Sequence, residues 1–411
     1  MADQPTKSPT LYYGWWIVAT AAVGMSTGPG QFAFGALGLF MIPLNEEFGW
    51  SRTEVSLALT CFTAALAVSI PYIGKLVDQY GSRKILLPSF IVFAVLLALI
   101  PVLANRLWIL FVLFALIGSL GAGANALPYL RTISAWFDRR RALALGIAMG
   151  GSGMGYVYVP PAVQYMIDAH GWRSAYFMLA AVTLIVAVPL VYFVLREAPL
   201  KKDLAGIDEL REQSIAAQSA PHTPLSLLLR RPLLWQLFLI FCLLSFTLYG
   251  VLSHLAPMLR DRGMSAASAA LAQSTLGLAL VLSRVIIGYV MDRIFAPFVA
   301  VSCFLLSAVG VSLLAIGAID SLAFIAAVCI GISMGAEIDM LAFLTGRYFG
   351  VENFGRVYGI LFTSFLIGTS IGPVAYGMAY ETLGSYIWVL FFSIGLMLVS
   401  ALVTSRLPRY S

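Results

Sequence analysis

Charge is what this chain has least of. Only 11% of its 411 residues are charged, against about 25% in an ordinary soluble domain. Histidines number three and cysteines four. Cys61, Cys242, Cys303 and Cys329 each sit inside an apolar run with no ligand-like spacing. They therefore read as packing residues, with neither a disulfide framework nor a metal site. No His/Asp set at metal spacing and no nucleophile motif occurs, which argues against an enzyme. The opening segment, MADQPTKSPT, is polar and has no basic stretch with a cleavage site, so no removable signal peptide is expected.

What the chain does have is apolar length. Hydrophobic residues make up 60% and mean hydropathy is +0.91. Stretches of about 20 apolar residues, enough to cross a bilayer core of ~30 Å, recur throughout. The pattern predicts an all-α polytopic membrane protein with twelve spans, at 14–42, 54–74, 85–104, 107–134, 142–167, 174–195, 233–259, 268–291, 297–317, 321–346, 356–379 and 386–406. One long charged segment without apolar periodicity, 196–231, divides them six and six. The expected organisation is an N-terminal bundle at 1–195, a central loop at 196–231 and a C-terminal bundle at 232–411.

Lysine and arginine set the orientation. With both ends on the cytoplasmic side, the inner segments hold Lys7, Lys75, Arg83, Lys84, Arg139, Arg140, Arg141, the basic residues of the central loop, Arg293, Arg347, Arg356, Arg406 and Arg409. The outer segments hold Arg52, Arg106, Arg173, Arg260 and Arg262, while Arg131 and Arg284 fall at membrane depth. The net charge of +6 thus reports topology and says little about nucleic acid.

The two halves echo each other. Gly74 and Asp78 recur as Gly288 and Asp292, and FGWS at 48–51 as RGMS at 262–265, both 214 residues on. GAN at 123–125 recurs as GAE at 335–337, and Trp136-Phe137 as Tyr348-Phe349, both 212 on. A duplicated six-span unit follows. Transporters built this way place substrate near the midplane, between the repeats.

The stretch GKLVDQYGSRK, 74–84, resembles the loop motif of the major facilitator superfamily. That resemblance implies its twelve-helix, two-bundle fold, with Gly74, Asp78, Gly81, Arg83 and the repeat's Asp292 in conformational gating. Within the superfamily three further stretches resemble the monocarboxylate transporter group: YYGWW at 12–16, WFDRRRALALGIAMGGSGMG at 136–155, and SRVIIGYVMD with Arg284. The chain departs from animal members at Gly35, where they carry a lysine, and at Leu280, where they carry an aspartate. His254 in the seventh span brings it nearer to bacterial members.

Arg284 stands eight residues, ~12 Å, before Asp292 on a helix. A charge so deep costs several kcal/mol and ordinarily faces a cavity or a partner. It is expected to fork a substrate carboxylate; the alternative is an ion pair with Glu337 or Asp339. Glu337 and Asp339, the two carboxylates at membrane depth, are candidates for proton coupling, since burial disfavours a carboxylate's charged form. Spaced i, i+2, they cannot share one helix face. One is expected to line the cavity and the other to touch a neighbouring helix, with Glu337 balancing Arg284. His254, beside Pro257, reads either as a pocket donor or as a partner for a carbonyl freed by a kink. Asn125, Tyr129 and Gln31 are neutral candidates for substrate binding, and Arg131 is expected near the inner mouth. The glycines at 146–155 and 368–377 suit close helix packing and a hinge.

Together these features point to a secondary transporter of a small organic monocarboxylate, moved with a proton by alternating access, in an inner plasma membrane. Carboxylate exchange, export of a lipophilic drug and a non-transporting sensor are the other readings. No cofactor, metal or nucleic acid enters the expectation; substrate, proton and membrane lipid do, and the oligomeric state, a monomer among the choices, is left open.

Overall fold

The structure, a computed structural model, describes residues 12–137, 140–197, 224–291, 293–350 and 352–409. Most of the central loop, the first eleven residues and Asp292 lie outside them. The described residues form twelve helical units. α1 is Gly14–Ser26 continued by Pro29–Phe48; α2 is Arg52–Tyr80, α3 Ser82–Leu103, and α4 Leu107–Leu120 continued by Ala126–Trp136. α5 is Arg141–His170, and α6 is Trp172–Val182 with π-helical turns at Thr183–Ala187 and Leu190–Val194. The second half contributes α7 (Pro232–Asp261), α8 (Ala266–Met291), α9 (Ala296–Ala315), α10 (Asp320–Phe349), α11 (Phe354–Leu383) and α12 (Ile387–Ser405). An even number of crossings leaves α1 and α12 starting and ending at one end, called here the terminal end.

Helices are the only open-ended elements whose backbone hydrogen bonds close without water, which is why apolar runs of this length become them. Ten of the units are long and apolar enough to cross a bilayer. The sequence pattern predicts twelve, and the two that fall short are α1 and α5. α1 is interrupted at Thr27-Gly28, and α5 is diluted by glycine, serine, tyrosine and proline. Both are sheltered: α1 packs on α5 and α7, and α5 on α8. α4, expected as one helix over 107–134, breaks at Asn125, whose backbone is extended (φ −91°, ψ −174°), after a 3₁₀ turn at Gly121–Ala124. Pro29 and Pro128 fall in the first turns after these breaks, where the missing N–H is one that a helix start leaves unpaired anyway.

The duplication shows in the packing. α1 lies on α5, α2 on α4 and α3 on α6; α7 lies on α11, α8 on α10 and α9 on α12. The repeated FGWS and RGMS are the same hinge between spans. Gly49 and Gly263 take positive φ (70° and 91°) to end a helix, and two residues on a serine caps the next. Ser51 accepts from the Glu54 N–H at 3.1 Å and donates its own N–H to Glu54 at 2.8 Å; Ser265 accepts from the Ser268 N–H at 3.1 Å.

The bundles meet chiefly along two seams, α2 against α11 and α5 against α8, and also where α1 touches α7. Small residues set how closely the helices approach. A Cβ on Gly372 would stand 2.2 Å from the Phe246 carbonyl oxygen, so α7 and α11 touch backbone to backbone there. Gly372→Val should therefore cost about 2 kcal/mol or more through overpacking and lower the melting temperature in detergent. Gly395→Ala, where an added Cβ meets nothing within 4 Å, should not. Equal melting of the two variants would contradict the packing.

Candidate functional site

Five helices bring charge or phenol into the space between the halves. Arg284 projects from α8, Asp339 from α10, Tyr249 from α7 and Tyr156 from α5; Tyr358 of α11 completes the ring. The guanidinium lies within electrostatic range of all three tyrosines. Its nearest carboxylate is Asp339, with Nη1 3.9 Å from Oδ1. That is the edge of an ion pair and beyond hydrogen-bond length. Nε and Nη1 of Arg284 are shielded from solvent and have no hydrogen-bond partner. A shielded guanidinium with idle N–H groups on both Nε and Nη1 has donors left for an anion.

The apolar wall is aromatic. Tyr249 meets Phe34 edge-on at 5.0 Å and Phe365 at 5.4 Å, and Phe34 meets Phe62 at 6.1 Å. Along α11 the rings of Phe354, Tyr358, Phe362 and Phe365 stack successively at 5.3–5.8 Å. Helical spacing puts them on one face, which runs from the terminal end up to Tyr249.

Glu337 and Asp339 divide as i, i+2 spacing demands. Asp339 faces Arg284 with its side chain 36% exposed, whereas Glu337 is fully enclosed against α7. The expectation that Glu337 balances Arg284 is thus not met in this state: Asp339 stands in that place. Glu337 Oε1 lies 2.5 Å from Ser245 Oγ, and Oε2 has no partner. Ser245 Oγ is also 2.6 Å from the Phe241 carbonyl oxygen. One hydroxyl proton cannot be fully donated to two acceptors. A protonated Glu337 resolves this: its O–H donates to Ser245 Oγ, which donates to the carbonyl.

Other expected site residues are not joined to Arg284 by any hydrogen bond or ion pair described. His254 is fully buried in the seam, under the field of Arg52. Nε2 sits 2.8 Å from the Pro373 carbonyl oxygen and 3.1 Å from Ser56 Oγ, and Nδ1 3.0 Å from the Tyr386 hydroxyl. A carbonyl only accepts, so Nε2 carries the hydrogen and Nδ1 accepts from Tyr386. Asn125 turns its amide onto the Ala122 carbonyl at 3.2 Å, serving the break in α4. The Tyr129 hydroxyl is buried without a partner and points at Gly24 of α1. Gln31 packs on Gly155 of α5. The sequence reading passed over Tyr156, Tyr249 and Tyr358; the charged neighbours that single them out lie on other helices.

At the terminal end the loop motif of residues 74–84 is assembled. Gly81 turns the chain with φ 88° and donates to the Val77 carbonyl at 2.9 Å. Asp78 pairs with Arg131 of α4 at 3.3 Å, and Arg131 also donates to the Val77 carbonyl. Glu197 accepts from the Arg83 N–H at 3.1 Å, covering the start of α3, and Arg83 donates to the Tyr192 carbonyl. Gly74 faces open space.

The seams are closed at one end only. Added Cβ atoms would clash across the halves at Gly38, Gly153, Gly277 and Gly377, with nearest atoms 2.2–2.7 Å away. Nearer the terminal end, Gly74, Gly146, Gly150, Gly288, Gly355 and Gly359 would meet nothing within 4 Å. The halves touch at the far end and part toward the terminal end.

Comparison with known proteins agrees with this architecture. The sequence pattern of one family, described as Major Facilitator Superfamily, matches residues 23–343 and 257–410. The human protein named Monocarboxylate transporter 11 is 26% identical over 433 residues, spanning 100% of this chain and 86% of its own. An Escherichia coli (strain K12) protein named uncharacterized MFS-type transporter YhjX is 24% identical over 349 residues, 82% of this chain and 83% of its own. Among solved structures, a bacterial homolog of the human lysosomal transporter Spinster, in an inward-facing and occupied conformation, superposes with TM-score 0.71 at 15% identity over 96% of this chain and 97% of that one. A D-xylose–proton symporter superposes with TM-score 0.72 at 12% identity, over 97% and 98%.

The geometry around His254 has a measurable consequence. His254→Ala would strip the Tyr386 hydroxyl and the Pro373 carbonyl of a partner at once, which should cost about 1–3 kcal/mol. The melting temperature in detergent should fall while affinity for substrate holds. Unchanged melting with weakened binding would return His254 to the pocket.

Proposed function

Because this chain belongs to the Major Facilitator Superfamily, a family of transporters and not of enzymes, we propose that it is a secondary active transporter of a small organic monocarboxylate, moved with a proton by alternating access. The observation that carries the reading is Arg284: a guanidinium enclosed between the bundles, with Nε and Nη1 unpaired and Asp339 held off at 3.9 Å. A carboxylate is planar, carries one negative charge and offers two oxygens, which suits a guanidinium that has N–H donors left on Nε and Nη1. The names of the relatives, monocarboxylate transporters among them, support the same class.

In the mechanism, substrate enters between the halves and lays its carboxylate on Arg284. Tyr156, Tyr249 and Tyr358 surround the charged end, and Phe34, Phe62 and Phe365 receive the apolar remainder. The arriving anion takes the attraction that Asp339 had, so that Asp339 loses its counter-charge. Glu337, one turn from Tyr249's contacts through Ser245, holds the proton in the arrangement Glu337 O–H to Ser245 to the Phe241 carbonyl. The two bundles then rock about the seams, opening the far end and closing the terminal end, where Asp78, Arg131, Gly81 and Arg83 set the turn and its contacts, with Asp292 the repeat's counterpart of Asp78. We place the terminal end in the cytoplasm and the protein in the cell's inner plasma membrane, on the distribution of lysine and arginine. The central loop joins two bundles, 1–195 and 232–411.

Two substitutions test this. Arg284→Lys replaces a fork with a point charge and should raise the Kd for substrate roughly tenfold or more, the worth of one charge-assisted hydrogen bond at ~1.5–3 kcal/mol; Arg284→Gln should abolish binding. Normal uptake by well-inserted Arg284→Gln protein in proteoliposomes would end the proposal. Glu337→Gln mimics the protonated acid, its amide donating to Ser245 in place of the O–H. It should keep substrate counterflow and lose accumulation driven by an inward proton gradient. Retained pH-driven accumulation would move the proton to Asp339 or to the substrate itself.

A further inference from the structure

The gating motif at the terminal end leaves open what seals the far end, and the structure supplies a candidate on α2. Arg52, the first residue of that helix, forks Asp261 at the end of α7, with Nη1–Oδ2 2.6 Å and Nη2–Oδ1 2.8 Å. Nη1 also donates to the Tyr386 hydroxyl at 2.7 Å, and Cζ lies 3.8 Å from the centre of the Tyr380 ring. The next residue, Thr53, donates both its N–H and its hydroxyl to the Glu381 carboxylate at 2.7 Å. One turn on, Ser56 meets His254; then Thr60 donates to the Ser370 carbonyl at 2.8 Å, and Thr63 meets the Ser370 hydroxyl at 2.7 Å.

Residues 52, 53, 56, 60 and 63 follow helical spacing and occupy one face of α2. Every partner named belongs to the other half. Asp261 and His254 come from α7, Ser370 and Glu381 from α11, and Tyr386 from the turn into α12. A second feature is directional: Arg52 donates to Tyr386, Tyr386 to His254, and His254 to the Pro373 carbonyl, so the outermost ion pair is linked to a fully buried ring. Glu381 supplies an anion to the positive N-terminus of α2, a cap borrowed from the opposite bundle. Such a face suits a contact that must open. Each group has a hydrogen bond to exchange with water when the halves separate, whereas an apolar seam would expose surface.

We propose that Arg52 and Asp261 are the latch of the far-side gate, with Tyr386 and His254 positioning the guanidinium and Glu381 holding the helix start. The assignment rests on alternating access and is independent of which cargo is carried. Its test reads conformation without substrate, so that failure of the carboxylate reading and failure of the latch give different results. Spin labels on Asn105→Cys and Ser321→Cys, exposed far-end positions on opposite halves, would be placed in the full chain with Cys61, Cys242, Cys303 and Cys329 replaced by serine or alanine, after confirming that this background melts as the parent does. Pulsed dipolar distances should show one short population. Arg52→Gln and Asp261→Asn should each raise the long-distance population at least fivefold, and Arg52→Asp with Asp261→Arg should return it toward the parent. Unaltered distances in both single variants would overturn the latch. So would long distances in the charge-swapped protein equal to those of Arg52→Gln, because a role in packing alone would not be rescued by reversing the pair.

Discussion

A guanidinium enclosed between two helical bundles must have its charge answered from somewhere, and much of this molecule is arranged around that demand. Arg284 sits where α8 faces α5, and its closest carboxylate, on α10, stays 3.9 Å away. Closer approach would make a hydrogen-bonded ion pair and occupy part of the guanidinium's donor set. At this separation the guanidinium has an electrostatic partner but no hydrogen-bonded one. Phenols from three further helices fill the neighbourhood without neutralising it. Holding such an arrangement requires the bundles to be rigid, and the small residues supply that rigidity. Where Gly372 meets the Phe246 carbonyl, and Gly118 the Phe62 carbonyl, backbones touch and the helices within each half cannot slide.

Glycine brings backbones together within the halves and also across them, at Gly38 and Gly277, but one face of α2 meets the other half differently. Inside a bundle, glycine lets backbone lie against backbone and large aromatics fill what remains. Along that face, against α7 and α11, the contacts are polar: an ion pair, a carboxylate on a helix start, and a row of hydroxyls. Apolar packing is costly to part because it exposes surface to water; hydrogen-bonded groups find replacements there. In the proposed mechanism, which keeps the bundles intact while separating them, this division is an advantage. The same logic accounts for the open glycines of the seams toward the terminal end, which have room to approach when the other end parts.

Much of the architecture was legible in the residues. Twelve apolar runs, the charged break at 196–231 and the repeat of FGWS as RGMS announce a duplicated helical membrane protein, because period and length in an apolar solvent leave the backbone little choice. The loop motif at 74–84 was equally readable, since a positive-φ turn at Gly81 is a local property. Less visible were the breaks. Pro29 and Pro128 were in plain sight, yet whether a proline kinks a helix or restarts one depends on what its neighbours can hydrogen-bond.

At the site, the sequence by itself determined which groups are chemically unusual: Arg284, Glu337, Asp339 and His254 stand out because a bilayer makes ionisable side chains expensive wherever they occur. It also determined that Glu337 and Asp339 point different ways, from the helical period alone. Only the tertiary structure decided who faces whom. Asp339 rather than Glu337 stands beside Arg284, His254 is bound into the seam with Tyr386 and Pro373, and Tyr156, Tyr249 and Tyr358 converge from three helices on one guanidinium. The physical reason is that these are contacts between residues dozens to hundreds of positions apart. They are fixed by the rotation of each helix about its axis and by the depth at which small residues let it settle, and neither is written in the period of any single run.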